Sequence, residues 1–138
     1  MRKIKIGIVG YSTNDFDVEK AKSFLDEIFK QIQKEYFEVE IVSGFTNTGV
    51  PKIAYELAKE YSFKTIGFSA KQAYDYETFP VDEVIIIGKN FGEESVDFIK
   101  YIDRIIRAGG RKQSFAEVQL FRESKKNLKS DSVIEFDL

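Results

Sequence analysis

Short apolar segments alternate regularly with longer amphipathic segments along this chain. The strongest strand signal is Val84-Ile85-Ile86-Ile87-Gly88, where four β-branched residues in a row favour a strand that is buried on both faces. The clearest amphipathic segment covers residues 17–36, with apolar residues at helical spacing and charged residues between them. Strands that alternate with helices in this way predict a parallel sheet with right-handed crossovers and helices on both faces.

The same patterns divide the whole chain into predicted elements. The predicted strands are residues 5–10, 39–42, 64–68, 84–88, 104–107 and 133–138, and the predicted helices are residues 17–36, 51–61, 93–102 and 114–126. With the strands numbered in chain order, we predict the sheet order 3-2-1-4-5, with the C-terminal strand at the edge. Because 138 residues suit one ordinary core, we expect a single three-layer Rossmann-like α/β domain over residues 1–138.

The chain contains neither cysteine nor histidine. This excludes a disulfide framework, thiolate or imidazole metal ligands and Ser-His-Asp chemistry, and we predict no metal and no cofactor. Acid–base chemistry would have to use carboxylates, lysine or tyrosine. The formal charge of −2 gives no basic field for nucleic acid, and no apolar run approaches the ~20 residues that span a bilayer. We therefore expect no nucleic-acid or membrane partner, and a cytoplasmic location.

Ligands of such sheets bind beyond the carboxyl ends of the strands, near the point where the strand order reverses. Four loops at these ends are rich in glycine and polar residues. The candidate ligand-binding residues are Gly10, Tyr11 and Ser12 after the first strand; Ser43, Gly44, Thr46, Asn47, Thr48 and Gly49 after the second; Gly88, Lys89 and Asn90 after the fourth; and Gly109, Gly110, Arg111, Lys112, Gln113 and Ser114 after the fifth.

Each of these loops also has an interpretation without a ligand. The 43–49 loop precedes a helix N-terminus that suits a phosphate, but a turn capped by threonine or asparagine fits as well. The glycines of the 109–114 loop allow a ligand close to the backbone. Glu117 lies three residues after Ser114, so the pair fits either a site carboxylate or a capping box.

The residues after the fourth strand can also be interpreted with or without a ligand. Lys89 could bind a phosphate and Asn90 a sugar or base, or both could belong to a plain exposed turn. Glu93 and Glu94 are explained without chemistry, as acidic residues that oppose the dipole at the start of a helix.

Three pieces of the chain also occur together in a known order. They are IGIVGYS at 6–12, VSGFTNTGVPKIAYELAKE at 42–60 and DRIIRAGGRKQSFAE at 103–117. In this order they resemble the Rossmann-like superfamily that contains the Lonely guy (lysine decarboxylase-like) proteins and DNA-processing protein A. The resemblance implies a nucleotide-derived ligand and, in the enzymatic branch, hydrolysis of the N-glycosidic bond of nucleoside 5′-monophosphates. It implies that Glu117 would stabilise an oxocarbenium-like centre or activate water, while Gly109, Gly110 and Ser114 would hold phosphate.

The chain departs from the enzymatic pattern of that superfamily at two places. Ala108 replaces a proline, and the spacing from Gly109 to Glu117 is one residue longer. Glu93 and Glu94 stand roughly where the enzymes carry an Arg-Lys pair, and acidic residues repel a phosphate. Because four polar, glycine-containing loops lie at the predicted ligand-binding end of the sheet, we predict binding of a nucleotide or nucleotide-derived phosphate ligand. The alternatives are a phosphoribohydrolase that uses Glu117 and a dimeric interaction module without a ligand. The resemblance also implies a homodimer.

Overall fold

The computed structural model describes residues 2–138, which form six strands and four α-helices. The strands are β1 Lys3–Gly10, β2 Glu38–Ser43, β3 Lys64–Ser69, β4 Glu83–Ile86, β5 Arg104–Ala108 and β6 Val133–Phe136. The helices are α1 Val18–Glu35, α2 Gly49–Glu60, α3 Ser95–Tyr101 and α4 Lys112–Ser124, and a short 3₁₀-helix, Lys71–Asp75, precedes β4. In the described part of the chain, no helix combines the length and the apolar character needed to cross a membrane.

The sheet separates two apolar cores. On one face, α1 and α2 bury Leu25, Phe29 and Tyr55 against β1 and β2. On the other face, Phe98 of α3 and Phe121 of α4 pack against the remaining side of the sheet. Each fully buried side chain of this size stabilises the fold by roughly 1.5–3 kcal/mol. The predicted α/β class, with a parallel sheet covered on both faces, is confirmed.

The order of the strands differs from the predicted one. The sheet runs β4-β3-β2-β1-β5-β6, so the placement of the fourth strand beside the first is wrong. β4 pairs with β3, and a short segment with no α-helix connects these two strands. α3 then crosses the sheet, so that the next strand, β5, lies beside β1. The edge position predicted for the C-terminal strand is correct.

The burial predicted for residues 84–87 is also wrong. β4 is an edge strand in which Val84 keeps 40% of its surface exposed, while Ile85 and Ile87 pack partly against the core beneath α3. A run of β-branched residues favours extended backbone wherever the strand lies, so the run does not distinguish a central strand from an edge strand. The corrected order reverses between β1 and β5, and this places a crevice above their carboxyl ends.

Candidate functional site

A cleft of about 200 Å³ opens at this crevice, above the ends of β1, β2 and β5. The predicted residues that line it are Gly10, Tyr11, Ser12, Ser43, Gly44, Arg111, Gln113, Ser114 and Glu117. The predicted residues that lie outside its lining are Thr46, Asn47, Thr48, Gly49, Gly88, Lys89, Asn90, Gly109, Gly110 and Lys112. The cleft is smaller than the roughly 300–1,000 Å³ of ordinary ligand sites, so a nucleotide-sized ligand would extend out of its mouth.

The glycine turn after β5 brings α4 close to β1. Gly109 and Gly110 have φ angles of +62° and +104°, which side chains other than glycine rarely adopt. A Cβ atom at Gly110 would lie 2.5 Å from Ser114 Oγ and 3.1 Å from Gly10 Cα. The two glycines therefore shape the wall of the cleft without lining it.

A buried arginine fixes this turn from behind. Arg107 is 3% exposed, and its Nη1 donates to the carbonyl oxygen of Gly109 at 2.9 Å. The same guanidinium donates to Glu135 Oε2 and Asp137 Oδ1, each at 2.8 Å. One side chain thus ties the C-terminal segment to the glycine turn.

The capping box that the Ser114/Glu117 spacing allowed at the start of α4 as one interpretation is not formed. The helix begins at Lys112 with Arg111 as its N-cap residue, and no side chain caps it. Ser114 lies inside the first turn, where its hydroxyl donates to the carbonyl of Gly10 at 3.1 Å. Uncapped N–H groups and the positive end of the helix dipole therefore lie next to Arg111 and Gln113 at the cleft.

Arg111 stands at the mouth of the cleft. Its side chain is 69% exposed and forms an ion pair with Asp15 at 3.1 Å, which joins α4 to the loop after β1. Its guanidinium carbon also lies 5.7 Å from the centre of the Tyr11 ring. An exposed pair of this kind is weak, so the guanidinium can exchange Asp15 for another anion.

The other candidate helix N-terminus, that of α2, is satisfied within the chain. Asn14 Oδ1 accepts a hydrogen bond from the N–H of Gly49 at 2.8 Å, and the N–H of Val50 donates to the carbonyl of Tyr11 at 2.7 Å. Thr48 Oγ1 donates to the carbonyl of Ser12 at 2.7 Å instead of capping the helix. The groups that cap α2 therefore come from the loop after β1, and they occupy backbone donors that a phosphate would need.

The backbone donors of the loop after β4 are also occupied by a side chain of the protein. The Glu93 carboxylate accepts hydrogen bonds from the N–H groups of Lys89, at 3.3 Å, and Asn90, at 3.1 Å. These two bonds hold the pKa of Glu93 below its usual value. An internal anion thus sits where the loop would otherwise offer two backbone donors.

Two buried carboxylates lie in the cleft beside α3. Glu117 is 8% exposed, and its Oε2 accepts a hydrogen bond from Ser95 Oγ at 2.9 Å. Burial raises the pKa of Glu117 to about 7, against the lowering effect of the Ser95 bond, and the charge of Glu94 raises it further. Glu94 is 5% exposed, and burial raises its pKa as well.

Sequence reasoning missed Glu94 as a residue of the cleft. Glu94 is the N-cap residue of α3, as its position suggested, but it makes no capping bond and lines the cleft instead. Its neighbour Glu93 is exposed and faces the loop. No local signal separates the two, because the crossing of α3 over the sheet decides which one is buried. Within residues 2–138, no cluster of three or more acidic side chains is placed to hold a metal.

Solved structures match this fold over nearly the whole chain. The molybdenum cofactor binding protein of the phototrophic bacterium Rippkaea orientalis matches with a TM-score of 0.75 at 22% identity, over 100% of this chain and 78% of that chain. The molybdenum cofactor carrier protein of Chlamydomonas reinhardtii matches with a TM-score of 0.72 at 23% identity, over 97% and 89%. The structural-genomics target TM1055 matches with a TM-score of 0.69 at 18% identity, over 87% and 68%.

At these identities the likeness shows the fold alone, and it confirms the Rossmann-like domain that the resemblance implied. No protein-family model matches the chain. No curated protein matches its sequence at a significant level.

Proposed function

We propose that the cleft binds a nucleotide or nucleotide-derived ligand, with its phosphate at the N-terminus of α4. The observation that carries this proposal is the uncapped start of α4 at the point where the strand order reverses. Backbone N–H groups at a helix start and the helix dipole together favour a phosphate. The adjacent Arg111 supplies a cation that can bind phosphate oxygens in a bidentate manner.

The occupied loops support the same location. The backbone donors at the start of α2 and after β4 are taken by Asn14 and Glu93, so the start of α4 is the more available anion site. Solved proteins of this fold are described as carrying or binding the molybdenum cofactor, and that cofactor is therefore one candidate ligand.

The phosphate site can be tested with ribose 5-phosphate as the probe. We expect the probe to raise the thermal stability of the full chain, by about 2.7 kcal/mol at 100 times its dissociation constant. Arg111→Gln should weaken binding roughly 10- to 100-fold, because it removes charge-assisted hydrogen bonds to the phosphate. Lys112→Gln is the matched control, since this neighbouring cation lies outside the cleft lining. Absence of binding at millimolar concentration, or equal losses in both variants, would contradict the proposal.

A second candidate function is hydrolysis of nucleoside 5′-monophosphates to free base and ribose 5-phosphate. The observation that favours it is Glu117, a buried carboxyl in the cleft whose pKa of about 7 suits proton transfer at neutral pH. Water would be the second substrate: Glu117 would take one proton from the water as the water oxygen attacks the anomeric carbon. The C–N bond would break, and the base would leave with its electron pair and receive that proton. Glu117→Gln should then abolish release of the base while binding of ribose 5-phosphate persists.

The third alternative, a dimeric interaction module without a ligand, would be favoured if neither binding nor base release occurred. The homodimer, the cytoplasmic location and membership of the superfamily named above stay predictions.

A further inference from the structure

The end of the cleft next to α3 carries negative charge that no cation in the described chain neutralises. Glu94 and Glu117 are 5% and 8% exposed, and both line the cleft. Neither forms an ion pair within residues 2–138. Buried carboxylates are costly unless hydrogen-bond donors or cations surround them. A ligand that brings donors to this end would therefore gain affinity.

Glu94 has an oxygen to offer such a ligand. Its Oε1 accepts a hydrogen bond from the N–H of Gly92 at 2.6 Å. Its Oε2 receives no hydrogen bond from the residues that the structure describes, although the side chain is nearly enclosed. Glu117 likewise accepts one bond, from Ser95. Glu94 Oε2 can thus accept hydrogen bonds from a ligand in the cleft.

Aromatic side chains form the walls at this end. Phe98 of α3 and Phe68 of β3 are 4% and 5% exposed, and their ring centres lie 5.7 Å apart. Phe91, three residues before Glu94, is 39% exposed and also lines the cleft. Apolar aromatic surface suits the apolar faces of a ring, and an ionised carboxylate can only accept hydrogen bonds. A ring whose edge donates hydrogen bonds would therefore complement this end of the cleft.

We infer that Glu94 selects the 2-amino-4-oxopyrimidine edge of a fused heterocycle, the ring of guanine and of pterins, by accepting from its ring N–H and its amino group. The inference rests on the proposed function, because the start of α4 would hold the phosphate of the same ligand. Two adjacent N–H donors fit one carboxylate as the arginine fork does. Adenine places a ring acceptor beside its amino group, and hypoxanthine has no amino group, so both make a poorer match.

Ligand discrimination by the full chain tests the inference. We expect GMP to bind roughly 5- to 150-fold more tightly than IMP or AMP, the range for one bidentate contact to a base edge. A second probe is 1-methyl-GMP, whose methyl group replaces the ring N–H donor. It should bind no better than IMP, and this comparison needs no protein variant. Competition by neopterin and by guanosine would show which of the two ring systems the site prefers.

Glu94→Gln should remove the preference for GMP over IMP while binding of ribose 5-phosphate stays equal or becomes tighter. Glu56→Gln is the matched control, because it makes the same charge change on the exposed face of α2. Isothermal titration gives each dissociation constant, and circular dichroism shows that both variants are folded. Equal binding of GMP and IMP by the unmodified chain, with ribose 5-phosphate still bound, would overturn this inference and leave the phosphate site standing. Absence of binding by both GMP and ribose 5-phosphate would overturn both.

Discussion

Replacement of the buried Glu117 by glutamine should make the protein more stable at neutral and alkaline pH. In the unfolded chain this carboxyl has its ordinary pKa of 4.5, whereas burial raises the pKa in the folded protein to about 7. Between these values the folded protein keeps a proton that the unfolded chain has lost. The free energy of unfolding therefore falls as the pH rises from about 4.5 to about 7, and it stays reduced above that window.

The structure gives the size of this effect. The difference between 4.5 and about 7, at 1.36 kcal/mol for each pKa unit, corresponds to a loss of about 3 kcal/mol above pH 7. Glutamine carries no charge at any pH, and its amide oxygen can still accept the hydrogen bond from Ser95. Glu117→Gln should therefore match the unmodified protein near pH 4 and exceed its stability by up to about 3 kcal/mol at pH 8.

Urea unfolding at several pH values between 4 and 8.5 measures the difference directly. Glu123→Gln, on the exposed side of the same helix, controls for the loss of one negative charge and should show no comparable dependence on pH. The reasoning is refuted if Glu117→Gln is no more stable than the unmodified protein at pH 8, or if the difference does not change with pH.

Three further changes test other parts of the site. Arg107→Met should lower the free energy of unfolding by roughly 1.5–3 kcal/mol in urea titrations, because Asp137 and the carbonyl of Gly109 lose their donor and Glu135 keeps only its bond from Arg122. Asp15→Asn should tighten binding of ribose 5-phosphate in calorimetric titrations at low salt, because Arg111 loses its internal anion. Gly110→Ala should weaken that binding and cost about 1–3 kcal/mol of stability. Gly92→Ala serves as its control, because its φ is also positive, at +101°, but a Cβ there meets no atom within 4 Å. Equal stability losses in the two glycine variants would show that steric contact at the turn is unimportant.

The sequence predicted the elements of the fold well, because strand and helix periods are local properties of the chain. It did not predict the neighbours of β4, because the run from Val84 to Ile87 favours extended backbone without specifying which strand it pairs with. The glycine turn after β5 was identifiable from Gly109-Gly110, since adjacent glycines permit positive φ angles.

The polar contacts of the site were less predictable than its backbone. The Ser114/Glu117 spacing allowed a helix cap at Ser114. Instead, α4 starts at Lys112, two residues before the predicted start of the helix, and the hydroxyl of Ser114 donates to the carbonyl of Gly10 in β1. The roles of Asn14 and Glu94 depend on which loops meet in space. Long-range contacts of this kind have no signature in the spacing of residues along one segment.

The bonds made by Asn14 and Glu93 also set a limit on how many phosphates the protein can hold at once. A ligand that placed phosphates at several of these loops would need free backbone donors in each of them. Here a second phosphate at the start of α2 would have to displace Asn14 from Gly49, and one at the loop after β4 would meet the charge of Glu93. The side chains that complete these loops thus disfavour a ligand that needs phosphate sites at several loops, and they leave the start of α4 as the available site.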